Sequence, residues 1–78
     1  MNRILNTWMY GDKMNRNLLK EKRLSKDLTQ KELAKQLNIS ERHYRYIESG
    51  SRTPSLNLVL KLCEVLEIGL SDLFPTQS

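Results

Sequence analysis

The sequence predicts an all-α fold with a helix-turn-helix at its centre, and three observations carry that prediction. Thr29-Gln30-Lys31-Glu32 is a capping box, in which the Thr29 hydroxyl accepts from the Glu32 amide while the Glu32 carboxylate reaches back to the Thr29 amide. A helix starts there. Asn38 tolerates the left-handed conformation that ends helices, and Ser40 offers a second N-cap almost at once, so the two helices must leave each other at a steep angle. Around this pair, apolar residues recur at helical spacing.

Each element follows in turn. Residues 1–13 have no clean period and carry Gly11-Asp12 as a turn signal. Their apolar residues Ile4, Leu5, Trp8, Met9 and Tyr10 suit an arm, an interface segment, packing on the core or disorder, and this extension is set apart from a domain over residues 14–74. From Asn17, Leu18, Leu19 and Leu24 stand amid charges, as in a short amphipathic first helix closing near Ser25 to Asp27. Helix two follows from the capping box, with Leu33, Ala34 and Leu37 inward. On helix three, a wheel of about 100° per residue with Tyr44 at its origin puts Ile47 and Glu48 near it and Arg42, Arg45, Tyr46 and Ser49 opposite. Gly50 fits its C-cap, Pro54 forbids continuation, and Ser55 caps helix four, Leu56 to Leu66. That helix carries two apolar stripes, which predict burial on most sides. Gly69 breaks the pattern, Leu70 to Phe74 forms one further turn whose Leu70, Leu73 and Phe74 need cover from the core or a partner, and residues 75–78 are a polar tail.

Composition narrows the function. A chain of 78 residues makes one domain at most, near the lower limit for folding without disulfides, metals or a partner. The lone Cys63 cannot bridge internally and reads as a small buried hydrophobe, and no closely spaced Cys/His set supplies zinc ligands. No metal and no cofactor are expected. The first residues lack the continuous apolar run of a signal peptide or membrane span, so a cytoplasmic protein without a membrane partner is expected. No nucleophile-base-orienter set, glycine-rich phosphate loop or carboxylate cluster can be assembled, which disfavours an enzyme and leaves no catalytic residue to assign. The net charge of +4 and pI of about 9.5 permit a polyanionic partner. Between Lys20 and Arg52 the cations outnumber the acids, whereas beyond Arg52 a single Lys61 stands against Glu64, Glu67 and Asp72.

Reading double-stranded DNA by direct contact needs a rigid helix narrow enough for the major groove, a second helix holding it, and polar side chains toward the base edges. The stretch from Gln30 to Glu48 supplies each part. Ala34 is small where the two helices approach, Asn38 permits the turn, Tyr44 and Ile47 pin helix three to the core, and Arg42, Arg45 and Tyr46 are left free. Arg42 suits guanine O6/N7, Arg45 a base or a phosphate, and Tyr46 a thymine methyl or the backbone. Glu41 can accept from cytosine N4, although it also complements the positive N-terminus of its helix. His43 lies to the side, between a phosphate contact and plain exposure.

Leu28-Thr29-Gln30-Lys31-Glu32-Leu33-Ala34, then Ser40, Ile47-Glu48-Ser49-Gly50, Arg52, Pro54-Ser55-Leu56 and Leu70-Ser71-Asp72-Leu73-Phe74 resemble the phage-repressor family, the Cro/cI or XRE type of helix-turn-helix, from Leu18 to Phe74. The resemblance implies a five-helix, lambda-repressor-like domain acting as a homodimer on an inverted-repeat operator to regulate transcription, most often as a repressor. It implies base-reading positions at Ser40, Glu41, Arg42, Arg45 and Tyr46. It further implies phosphate contacts from Gln30, whose amide can also brace a side chain of helix three, and from Ser40, Ser51 and Arg52, where a backbone amide and a guanidinium both suit an anion, and a structural salt bridge between Arg23 and Glu48. Apolar residues near Leu66, Ile68, Leu70, Leu73 and Phe74 are expected to join the two subunits. Three departures bear on this. Asn38 replaces the usual turn glycine, Tyr44 replaces a small aliphatic and requires extra room or an outward phenol, and Glu67 and Gly69 invert the customary glycine-then-polar order after helix four. The rival reading is an antitoxin or adaptor whose protein partner docks on the extension through Trp8 and Tyr10, with DNA binding secondary.

Overall fold

Residues 14–75 are described in the computed structural model, and among them the chain forms five helices and no strand. These are α1 (Arg16–Ser25), α2 (Gln30–Leu37), α3 (Glu41–Ser49), α4 (Leu56–Leu66) and α5 (Leu70–Leu73). The readings made for the extension, Trp8 and Tyr10 included, fall outside the described residues.

Four helices start where a side chain accepts from an otherwise orphaned amide. Asn15 accepts from the Leu18 amide at 3.0 Å, Ser40 from that of His43 at 3.0 Å and Ser55 from that of Leu58 at 3.2 Å. At α2 the capping box is complete, with Thr29 Oγ1 accepting from the Glu32 amide at 3.0 Å and Glu32 Oε1 from the Thr29 amide at 2.8 Å. The four-residue α5 starts at Gly69 without a side-chain cap and is held instead by burial of Leu73. Asn38 ends α2 in the left-handed region at φ 62°, and the next residue but one caps α3. This is the tight turn that sends α3 across α2.

The core gathers one face from every helix: Leu19 of α1, Leu33, Ala34 and Leu37 of α2, Tyr44 and Ile47 of α3, Val59, Leu62 and Leu66 of α4, and Leu73 of α5. α2 packs chiefly on α3 and also on α4, while α1 lies against α3 and α5. Met14, at the start of the described chain, is buried too, and the Asn15 amide donates to the Leu73 carbonyl at 2.7 Å, which ties the two ends of the domain together.

Two expectations about faces are revised. Leu24 is exposed, because residues five apart stand roughly 140° apart on a helix and α1 turns Leu19 and Arg23 inward instead. On α4 only the stripe through Val59, Leu62 and Leu66 is closed off; Leu58, Cys63 and Val65 are half-buried, and Leu56 and Leu60 remain open. Five helices of this length cannot cover two stripes on every side.

Among the described residues, three other than glycine sit in the left-handed region: Asp27, Asn38 and Glu67. Asn bears this at little cost, but Glu67, the C-cap of α4 at φ 57°, has a Cβ that clashes with its own backbone. Its side chain is largely exposed and meets Lys26 at 3.3 Å, a surface pair that contributes little. Glu67→Gly should therefore stabilise the domain by about 0.5–1 kcal/mol through relief of that strain, net of the added chain entropy. Urea denaturation of the two proteins measures this, and a lower midpoint in the variant would show that the Lys26 contact outweighs the strain.

Candidate nucleic-acid interface

The interface is organised from beneath by one carboxylate. Glu48, in the last turn of α3, is nearly closed off, and both its oxygens are saturated by donors from three helices. Arg23 of α1 donates from Nε to Oε2 at 2.8 Å and from Nη2 to Oε1 at 3.2 Å, Gln30 of α2 donates from Nε2 to Oε1 at 2.9 Å, and Tyr44 of α3 donates from its hydroxyl to Oε2 at 2.6 Å. Arg23 also donates from Nη1 to the Leu28 carbonyl at 2.8 Å, so the loop into α2 belongs to the same network. Burial pushes the Glu48 carboxyl up, but the hydrogen bonds from Arg23, Tyr44 and Gln30 outweigh it and hold the group below its ordinary range. The bond to Glu48 raises the Arg23 guanidinium against the opposing effect of its burial. Burial, then the bond to Glu48, push the Tyr44 phenol far up, so it stays a neutral donor.

This network resolves two readings of single residues. Tyr44 needs neither spare room nor an outward phenol: its ring is fully buried, and the hydroxyl reaches Glu48 one turn along the same helix. The Gln30 amide, expected at a phosphate and also as a brace for a helix-three side chain, does brace Glu48 with one of its two N–H donors, which leaves the second for an external acceptor.

With Tyr44 and Ile47 inward, the opposite face of α3 is open. Glu41, Arg42, Arg45 and Tyr46 are all exposed, and none makes a side-chain hydrogen bond or ion pair among the described residues. A shallow cleft runs along each side of this ridge. One, of about 290 Å³, is lined by Ser40, Arg42, His43, Tyr46 and Arg52. The other, of about 410 Å³, is lined by Lys20, Gln30, Arg45, Tyr46, Glu48, Ser49 and Ser51. Tyr46 stands between them. Lys20, exposed on α1, was not singled out by sequence because its basic neighbours Lys22 and Lys26 look the same in a one-dimensional reading. Only packing brings it beside Arg45.

In the loop after α3 one expectation is corrected. The Ser51 and Arg52 amides do not face outward for an anion: they donate to the Tyr46 carbonyl at 2.9 and 3.1 Å, joined there by the Gly50 amide at 3.1 Å. Any anion contact from this loop rests on the Arg52 guanidinium and the Ser51 hydroxyl, which pairs with that of Ser49 at 3.2 Å. Ser40, likewise, spends its hydroxyl on the α3 cap. Sequence reasoning also missed Arg16, whose side chain donates from Nε to the Ile47 carbonyl at 2.9 Å and from Nη2 to the Arg52 carbonyl at 3.2 Å. No local pattern distinguishes it from the other cations of α1.

The residues expected to join two subunits are mostly spoken for. Leu66 and Leu73 are fully buried, and Ile68 and Phe74 nearly so, in the protomer's own core, because α5 folds back on α1 and α4 and hides them. In this packing the four offer a second chain little surface. Leu70 alone of the five is exposed.

A helix-turn-helix family model matches residues 19–73, which spans α1 through α5. The chain belongs to the XRE-type helix-turn-helix family. Within this family it is 37% identical over 59 residues to an uncharacterized HTH-type transcriptional regulator of Methanocaldococcus jannaschii, covering 76% of this chain and 89% of that one. It is 43% identical over 53 residues to the uncharacterized HTH-type transcriptional regulator YqaF of Bacillus subtilis, covering 68% and 70%. An uncharacterized HTH-type transcriptional regulator of Archaeoglobus fulgidus is 34% identical over 59 residues, covering 76% and 83%. No helix among the described residues of this helix-turn-helix protein is long and apolar enough to cross a membrane.

Because the Glu48 carboxyl is held low in the folded state, its contribution to stability is fully present above its unfolded value, about 4.3, and is lost as pH falls through the lower folded value. Unfolding free energy should thus decline in acid below about pH 4.5, and Glu48→Gln should be less stable at neutral pH with a shallower acid decline. Chemical denaturation of both proteins from pH 3 to 7 tests this. Parallel curves would show that other carboxylates account for the acid sensitivity.

Proposed function

We propose that this protein is a sequence-specific regulator of transcription that binds double-stranded DNA through α3 in the major groove, as a homodimer on an inverted repeat and most simply as a repressor. One observation carries the reading: a single helix is divided between a buried face and an open one, and the open face presents Glu41, Arg42, Arg45 and Tyr46 with their polar ends uncommitted. Such a face suits the donor and acceptor pattern of base edges, which the major groove displays uniquely for each pair. The flanking clefts suit the sugar-phosphate backbones bounding that groove, with Lys20, Gln30 and Arg45 on one side and Arg52 on the other. Relatives described as HTH-type transcriptional regulators support the regulatory role. Cytoplasmic location follows from the need to reach the genome.

Two-fold symmetry is the economical way for so small a reading surface to gain specificity, because each copy places one helix in successive major grooves about 34 Å apart. Leu70 on α5 and Leu56 and Leu60, one turn apart on α4, are exposed apolar side chains from which a subunit contact would be built. A protection footprint on the DNA upstream of the protein's own gene should give two half-sites one helical turn apart. A single protected half-site would remove the dimer, and uniform protection of any duplex would remove sequence specificity.

Two substitutions separate base reading from backbone contact. Arg42→Ala should weaken binding to the footprinted site by about 1–3 kcal/mol while leaving affinity for unrelated duplex nearly unchanged. Arg52→Ala should weaken both and lower the slope of log affinity against log salt by about 0.9, the share of one phosphate. Titrations by fluorescence anisotropy at several salt concentrations check both outcomes. Equal losses on both duplexes for Arg42→Ala would move that residue to the backbone class.

A further inference from the structure

The side chain that crosses from α1 to the far end of the reading helix has no part in the core and, among the described residues, no charge partner. Arg16 is the first residue of α1, and its neighbour Asn15 is fixed both as N-cap and by the bond from its amide to the Leu73 carbonyl. From this anchored base the guanidinium passes over Gly50 and donates to two main-chain carbonyls on either side of it, Ile47 in α3 and Arg52 in the loop beyond. An added Cβ at Gly50 would lie 3.6 Å from Arg16 Cδ and Nε, an ordinary contact, so the Arg16 stem lies against this residue. The φ of +96° at Gly50, not lack of space, is what excludes other residues there.

Of the two carbonyls that Arg16 takes, Ile47 belongs to the last turn of α3, where it also accepts from the Gly50 amide at 3.3 Å, and Arg52 lies in the loop; a guanidinium also complements the negative end of the helix. The loop it grips is anchored at its far end by the buried Pro54 but has little else before it. Its Gly50, Ser51 and Arg52 amides all converge on the Tyr46 carbonyl, Ser51 and Arg52 are exposed, and no side chain other than Arg16 reaches the loop from another helix among the hydrogen bonds of the described residues. Among the described residues Arg16 is therefore the one side chain of another helix that hydrogen-bonds the segment carrying Arg52, a strut on the α3 side of the buried Pro54.

We infer that Arg16 is a positioning residue for DNA binding: it does not touch DNA but holds the loop so that the Arg52 guanidinium stands beside Arg42 and His43 in the cleft flanking α3, where a backbone phosphate is bound. This deepens the proposed function and rests on it for the identity of the ligand. It assigns to the first turn of α1 a role in setting the edge of the interface, through main-chain carbonyls and not through its own charge.

A double-mutant cycle on duplex DNA tests the inference. Arg16→Ala should weaken binding about five- to tenfold on specific and unrelated duplex alike and lower the salt slope by about 0.9, as loss of the Arg52 contact does. In an Arg52→Ala background the same substitution should have almost no further effect, since the group it positions is gone. Arg16→Lys, which keeps the charge but cannot bridge two carbonyls with a planar fork, should resemble Arg16→Ala. Additive losses in the cycle would overturn the inference by making Arg16 a phosphate contact in its own right, and so would full rescue by lysine. A readout without DNA separates the inference from the functional reading. Amide hydrogen exchange in Arg16→Ala should quicken at Ser51 and Arg52 while the α1 and α2 amides keep their protection. If the exchange behaves so but no duplex binds even the unsubstituted protein, the strut stands and the DNA reading falls; unchanged exchange at those amides overturns the strut itself.

Discussion

The domain turns on a single buried carboxylate. A hydrophobic core fixes which face of each helix turns inward but sets its exact rotation only loosely, because apolar contact has no direction. Hydrogen bonds to Glu48 have direction. Arg23 and Gln30 reach it from the two neighbouring helices, so the rotation of α3 is set relative to α1 and α2 by three bonds, while a fourth, from Tyr44 on the same helix, fixes the carboxylate itself. Removal of one donor leaves a charged acceptor short in a nearly closed site, which is why the arrangement holds as a unit. Through that unit the opposite face of α3 points outward.

The consequence is a division of labour within nine residues. The inward side chains of α3 are committed to the core and the Glu48 network, whereas Glu41, Arg42, Arg45 and Tyr46 form no hydrogen bond or ion pair with the rest of the fold among the described residues. Substitutions on that outer face are free of the mechanisms that give large losses of stability, namely cavities, broken buried bonds and lost caps. A helix so arranged can change what it recognises without renegotiating how it folds.

The helices were legible in the sequence because their starts are local. Thr29, Ser40 and Ser55 are caps whose partners lie three residues on, and Asn38 ends α2 by its own backbone preference, so a window of a few residues contains the whole cause. The outward face of α3 was legible for the same reason, since helical period alone separates Arg42, Arg45 and Tyr46 from Tyr44 and Ile47. What was not legible depends on groups far apart in the chain. Arg16 meets carbonyls 31 and 36 residues away, and its partners are main-chain atoms that leave no mark on residue type. The loop amides of Ser51 and Arg52 look like donors for an anion until folding turns them onto Tyr46. Leu66, Ile68, Leu73 and Phe74 illustrate the converse: an apolar turn at the end of a small domain suits a subunit contact or a core equally well, and only the return of α5 onto α1 decides for the core.

That return also gives the short α5 its weight. With one turn and no side-chain cap it has no stability of its own, since the few bonds of a single turn do not repay its nucleation. It persists because Leu73 is buried and its carbonyl takes the Asn15 amide, the same backbone that begins α1 and carries Arg16. The chain from Leu73 through Asn15 and Arg16 to the Ile47 and Arg52 carbonyls therefore joins the last helix to the far end of the reading helix, along a route separate from the Glu48 network. Glu48 fixes how α3 is rotated; the second route fixes where its end and the following loop lie. The proposed reading surface needs both, because a helix pinned only through its buried face could still let the loop beside it drift from the DNA backbone that the proposal places there.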